Sequence, residues 1–294
     1  MTSQAMPGTT PSTACDEGMD EIHVSNMNNR NELRHLVRQL RESLALDAAF
    51  GVHDVLLSRP AATRPPAAAS PPTQGAPPPV HRQTRPAAEP AQAPPQPAPL
   101  SPDAQHKAEA LAAIQARAAQ CQRCALGATR TNLVFGVGNP DARLMFIGEA
   151  PGEDEDLQGE PFVGKAGQLL TRIITNGMKL QRSDVYIANI LKCRPPGNRT
   201  PSPTEMALCR EYLIEQIDII QPTIIVALGA VAVAGLTGTT VAISKIRGQF
   251  FQWRHIQVMP TYHPAYLLRN PSAKRLVWDD IRKVIKALGI GGLS

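Results

Sequence analysis

No apolar run in this chain approaches the roughly 20 residues that a membrane-spanning helix needs. The first residues, MTSQAMPGTTPSTACDEGMD, lack the basic start and apolar core of a secretory signal. The expected compartment is therefore cytoplasmic, where thiols stay reduced. No internal repeat is visible. Cysteine is scarce and odd in number: Cys15, Cys121, Cys124, Cys193 and Cys209. In a reducing compartment that count argues against a disulfide framework and for metal ligands or free thiols. Acids are nearly missing from one long stretch. Between Pro60 and Pro102 the only one is Glu89, among Pro, Ala, Gln, Ser, Thr and scattered Arg. More than half of the 28 prolines lie there. Such a stretch cannot form a packed core and reads as an extended, disordered linker.

What is present starts with positive charge. The 294 residues carry a formal net charge of +5, with a pI near 9.1, which points to a polyanionic partner. Residues 1–105 read as a largely disordered tail holding one amphipathic helix near residues 30–50. There Leu33, Leu36, Val37, Leu40 and Leu44 recur at helical spacing. The tail is expected to tether a protein partner or add weak attraction for a polyanion, and nothing in it identifies a partner.

Residues 106–294 have a globular composition. HKAEALAAIQARAAQ reads as a helix. Strands are expected at RLMFIGE, DVYIANILK, PTIIVALG and IQVMPTYH, and a hairpin near Trp253. Helices fall between and after them. This alternation predicts an α/β domain, a mostly parallel sheet flanked by helices. In such sheets ligands bind outside the carboxyl ends of the strands. The acidic stretch GEAPGEDED, Asn189 and the Tyr262-His263-Pro264 triplet stand at three of those ends.

The cysteines suggest a metal site. Cys121 and Cys124 form a Cys-x-x-Cys turn. Cys193 and Cys209 bracket a proline-rich loop, too long for a zinc-ribbon pair. Spacing favours an iron–sulfur cluster over zinc. A competing reading makes Cys209 a small apolar residue on an amphipathic helix.

Taken together, GEAPG with its following acids, PFVGKAGQLL, NILKCRPPGNRTP, HPAYLLR and the four cysteines resemble type-4 uracil-DNA glycosylases. The resemblance runs from about Cys121 to the C-terminus. It implies a three-layer α/β/α fold and a structural [4Fe-4S] cluster held by Cys121, Cys124, Cys193 and Cys209. It implies hydrolysis of the bond between uracil and deoxyribose in single- or double-stranded DNA, by a protein expected to be monomeric. Phe162 would stack on the flipped base. Asn189 would meet uracil O4 and N3–H. His263 would donate to O2 as negative charge grows there. Glu149 would contact uracil and, with Asp154 as the other choice, steady the cation-like sugar or a water. Glu155 and Asp156 read equally well as a solvated loop. Ala150 stands where better-known uracil glycosylases place an aspartate that activates water, a lack that type-4 members share. Lys192, Arg194, Arg199 and Arg269, with Lys274 and Arg275, would contact phosphates. Tyr266 or Leu267 would wedge into the gap left by the flipped nucleotide. Two readings compete. One is a non-catalytic nucleic-acid-binding module with a structural cluster or zinc. The other is a relative that traps uracil-DNA covalently through an inserted histidine, set aside because His255 lies too late in the chain.

Overall fold

The structure is a computed structural model. It describes residues 101–290 and, before them, Leu33, Arg34, Val37, Arg38, Arg41, Leu46, Ala49 and Phe50. The expected linker, Cys15 and the rest of the tail lie outside the described residues. Helix α1 (Pro102–Ala119) begins where the Ser101 side chain accepts the Ala104 N–H and proline takes the first turn. A short helix α2 (Leu126–Thr129) and strand β1 (Val137–Gly138) lead into β2 (Leu144–Gly148). Then come α3 (Glu153–Gln158), α4 (Lys165–Arg172) and a π-helical turn, Ile173–Gly177. Strand β3 (Tyr186–Asn189) is followed by α5 (Pro203–Ile220), opened by a Ser202–Glu205 capping box. The rest of the chain supplies β4 (Ile224–Leu228), α6 (Ala230–Thr237), α7 (Ile243–Ile246), β5 (Phe251–Trp253), β6 (Ile256–Thr261), α8 (Pro264–Arg269) and α9 (Lys274–Leu288).

The six strands lie in the order β1-β3-β2-β4-β6-β5. The four central strands are parallel, and the two short edge strands run antiparallel. Alternation along the strands feeds two cores. Leu144, Phe146, Ile187, Val226 and Met259 point to one face, against α4 and α9. Met145, Ile147, Ala188, Ile225 and Val258 point to the other, against α1, α5 and α6. The result is three layers, helices–sheet–helices. Apolar residues on both faces are why the central strands read as unbroken apolar runs.

The N-terminal segment has a docking point. Leu46, Ala49 and Phe50 pack on the first core, and the Lys274 ammonium lies 5.4 Å from the Phe50 ring centre. Leu33 and Val37 are exposed. Of the expected apolar stripe, Leu36, Leu40 and Leu44 lie outside the described residues.

Candidate active site

Register brings the motif residues together. Gly148 pairs with Asn189 across β2 and β3, and Leu228 with Thr261 across β4 and β6. The loops that leave these strand ends enclose a cavity of about 430 Å³. Glu149, Ala150, Phe162, Asn189, His263 and Arg269 all line it. That volume lies in the ordinary range of small-molecule sites.

Phe162 is buried at a left-handed φ of 57°, its ring centre 5.5 Å from that of His263. Two glycines make this placement available. A Cβ on Gly148 would lie 2.5 Å from Phe162 Cζ and 2.3 Å from Asn189 Oδ1. A Cβ on Gly167 would lie 1.9 Å from the Phe162 main chain. Asn189 is 2 % exposed, and its Oδ1 has no hydrogen-bond partner among the described residues. Leaving a buried acceptor unpaired costs about 1–3 kcal/mol, so an orphan at a cavity wall marks a place for a ligand donor.

His263 caps α8. Its Nδ1 accepts the Ala265 N–H at 3.1 Å. In a neutral ring the proton therefore sits on Nε2, which is left as a donor. Burial pulls the His263 pKa down to about 4, and the charge of Arg269 adds to this. The ring is therefore neutral at physiological pH. Burial raises the pKa of half-buried Glu149.

The acidic stretch is helix α3, and two of its acids face inward. Glu155 Oε1 accepts the N–H groups of Val163 and Gly164, each at 3.0 Å, and Oε2 accepts that of Gly152 at 3.0 Å. It thereby clips the Phe162 loop to the GEAPG turn. Asp156 is buried and accepts the Thr131 N–H at 3.0 and 3.1 Å. The solvated-loop reading is thus corrected for both. Their partners are main-chain donors, which a charge pattern does not reveal.

The basic residues separate into groups. Lys192 is 1 % exposed, and its ammonium donates to Asn189 O and Gln216 Oε1. This corrects its expected contact with phosphate, because the side chain turns into the core. Burial pulls its pKa down to about 8, opposed by Cys209 and Cys193. Arg199 is exposed but holds Glu205 through both guanidinium nitrogens, at 2.9 and 2.6 Å. Arg194 donates to Asn198 at 2.7 Å and lies 3.6 Å from Glu153. Arg269 is exposed at the cavity rim. Leu267 is wholly buried, which removes it as a wedge. Tyr266 is 38 % exposed, lines the cavity and stacks on Tyr262 at 4.8 Å.

The four cysteine thiols are free. Cys124, Cys193 and Cys209 pack with Leu126, Leu191 and Ala150, so the thiol centre touches the GEAPG turn. Burial raises the Cys193 pKa, and that of Cys209 to about 11. Cys193 feels the charges of Cys121 and Cys124, and Cys209 those of Cys193 and Cys124. Donors point at two sulfurs: Arg130 Nη1 at 3.2 Å from Cys193 Sγ, and Lys192 N at 3.3 Å from Cys209 Sγ. Among the described residues no group of three His, Cys, Asp or Glu side chains is arranged to hold a single ion. Four thiols that feel one another's charge and are met by donors are a set that could hold a multi-iron cluster.

One supporting residue had no visible signal. Thr261 Oγ1 donates to the wholly buried Asp280 at 2.7 Å, and Arg247 Nε donates to the same carboxylate at 3.0 Å. This pins the end of β6 two residues before His263. In sequence Asp280 looks like a surface acid of an amphipathic helix. Among the described residues no helix is long and apolar enough to cross a membrane.

The fold is an α/β sheet with its cavity at the carboxyl ends of the strands, and comparison with known proteins places it in one family. The family model described as "Uracil DNA glycosylase superfamily" matches residues 135–282, and the chain belongs to that superfamily. Its relatives narrow the placement to type 4. It is 49 % identical over 179 residues to a type-4 uracil-DNA glycosylase of Thermotoga maritima, covering 60 % of this chain and 93 % of the relative. It is 48 % identical over 177 residues to that of Saccharolobus solfataricus, covering 58 % and 82 %. A type-5 uracil-DNA glycosylase of Pyrobaculum aerophilum is 30 % identical over 166 residues, covering 51 % and 72 %.

Proposed function

We propose that this protein releases uracil from DNA by hydrolysing the bond between base and deoxyribose, leaving an abasic site. One observation carries the reading. Asn189 with its orphan amide oxygen, His263 with a free Nε2–H and Phe162 all line one cavity of about 430 Å³. The flipped base stacks on Phe162. Asn189 Oδ1 accepts from uracil N3–H while the amide nitrogen donates to O4. Cytosine offers the opposite pattern on both atoms. As the bond to the sugar breaks, charge grows on O2, and His263 Nε2–H donates to it. Such a preorganised donor contributes about 3–4 kcal/mol. The sugar turns cation-like. Glu149 lines the cavity and Asp154 is exposed outside it, so Glu149 is the carboxylate assigned to the sugar and its attacking water.

Cys121, Cys124, Cys193 and Cys209 would hold a [4Fe-4S] cluster. Its contribution when bound is to cross-link the loops around Asn189 and Ala150, with no part in the bond cleavage. Arg269, Arg194 and, less freely, Arg199 would contact DNA phosphates and give salt-dependent, sequence-neutral affinity. The test is a single-uracil oligonucleotide, single-stranded and paired with guanine, incubated with the full chain and then cleaved at abasic sites by alkali, beside iron and zinc analysis. Uracil release by iron-loaded protein is expected. Intact DNA after incubation with such protein would refute the reading.

A further inference from the structure

Among the described residues Lys192 is the one buried lysine or arginine. A buried ammonium usually faces a carboxylate. Both hydrogen-bond partners of this one are neutral, the Asn189 carbonyl oxygen at 3.0 Å and Gln216 Oε1 at 2.6 Å, and it lies 5.7 Å from the Phe135 ring centre. Gln216 cannot turn away easily. Its Nε2 donates to Phe135 O at 3.0 Å and to the Tyr186 hydroxyl at 3.1 Å, which fixes Oε1 toward the lysine. The backbone of Lys192 is tied as well, its carbonyl accepting from Val134 N at 2.9 Å and its N–H donating to Cys209 Sγ at 3.3 Å. Cys193 follows it in the chain. Cys209 and Cys193 are the ionisable groups that act on this ammonium, and four thiolates around an iron–sulfur core would make that centre a net anion.

We propose that Lys192 is a positioning residue: its ammonium, balanced by the cysteine centre, holds the main chain of Asn189 and so aims the amide that reads the base. The inference rests on the role given to Asn189 above. It makes the cysteine centre more than a staple. Weakening the charge partnership loosens base recognition before it unfolds the domain. DNA contacts made at the rim, by Arg269 and its neighbours, are untouched by it.

The test compares full-length wild type with Lys192→Met and Gln216→Leu. Lys192→Met keeps the length of the side chain and removes its donors and charge. Gln216→Leu damages the same buried network but leaves the bond from Lys192 to Asn189. Four quantities are read: inhibition of the reaction by free uracil, affinity for a duplex bearing a tetrahydrofuran abasic analogue, iron content and thermal midpoint. The charge-assisted bond predicts that Lys192→Met raises the uracil inhibition constant about tenfold or more. Affinity for the abasic duplex stays near wild type and iron is retained. Gln216→Leu lowers the thermal midpoint yet keeps uracil inhibition near wild type. An unchanged inhibition constant in Lys192→Met would overturn the proposal. So would losses of uracil affinity that follow the thermal midpoint in both variants, since Lys192 would then be only a core element. If Lys192→Met yields no soluble protein, Lys192→Gln is measured in its place and judged by the same outcomes. Wild type that releases no uracil would overturn the functional reading and this proposal together, whereas a failure confined to the variants overturns this proposal alone.

Discussion

Replacing His263 by alanine removes two things that the structure separates. One is the Nε2–H that the Nδ1 bond leaves free on a ring lining the cavity. The other is the Nδ1 acceptor that caps α8 through the Ala265 N–H. With a pKa near 4, about one ring in a thousand is charged at pH 7, so almost every molecule has the neutral donor in place. Loss of a preorganised donor predicts a fall of about 10²–10³ in the single-turnover rate, with substrate affinity little changed. Loss of the cap predicts a further fall of about 1 kcal/mol in stability. His263→Asn should restore the cap, since asparagine is a good N-cap, and leave the rate low. The same ring sets a pH dependence. Its pKa is lower folded than unfolded, so the unfolded chain takes up the proton first as pH falls. The stability His263 contributes is present above about pH 6.5 and is lost on the way down to about pH 4, amounting to roughly 3 kcal/mol. The alanine variant should lose less stability than wild type across that window. A His263→Ala protein whose loss lies in affinity rather than rate would refute the donor role. So would a wild-type rate that follows an ionisation near the ordinary histidine pKa.

Gly148→Ala should cut uracil release by about tenfold or more, because its Cβ must displace Asn189 Oδ1 or the Phe162 ring; a fully active variant would show that the cavity is not read by these groups. Glu155→Gln turns an N–H toward one of three main-chain donors, and should cost about 1–3 kcal/mol in denaturant unfolding while weakening inhibition by free uracil. Unchanged inhibition would mean that the Phe162 loop holds itself. Arg269→Ala should lower the slope of log affinity against log salt by about 0.9 for duplex DNA. Arg199→Ala should lower it less, since that guanidinium is already held by Glu205; the reverse order would show that Arg199 is the phosphate contact.

The central strands and most helices were legible because their signals are local. Apolar runs such as LMFI and IIVAL reflect burial on both faces, and Ser202 with Glu205 announces the start of α5. Strand β1, at two residues, carries no periodicity to read. The residues that meet at the cavity were legible from their motifs, and strand register then explains how segments far apart in sequence reach one edge. What stayed hidden depends on partners distant in the chain. Lys192 sits among basic and turn residues and looks like a surface cation. Its burial is decided by Gln216, on a helix that begins a whole loop later. Leu267 and Leu268 are identical in type, and only the packing of α8 sends the first into the core and the second to solvent. Asp280 adjoins another acid in an amphipathic helix, and only the fold brings Thr261 and Arg247 to it.

The acidic stretch in a basic protein illustrates how composition and local charge separate. Of its five acids, Glu155 and Asp156 spend their charge on main-chain N–H groups. Glu153 lies within 3.6 Å of Arg194. Asp154 is exposed beyond the cavity lining. Only Glu149 lines the cavity wall at the strand end without a main-chain donor assigned to its carboxylate. Burial there pushes its pKa up, and a positive charge developing on the sugar would favour its charged form. The rim meanwhile keeps Arg269, whose positive charge also holds the His263 pKa down. Burial is the larger cause of that lowering, so the neutral donor inside rests first on the packing around His263 and second on this guanidinium.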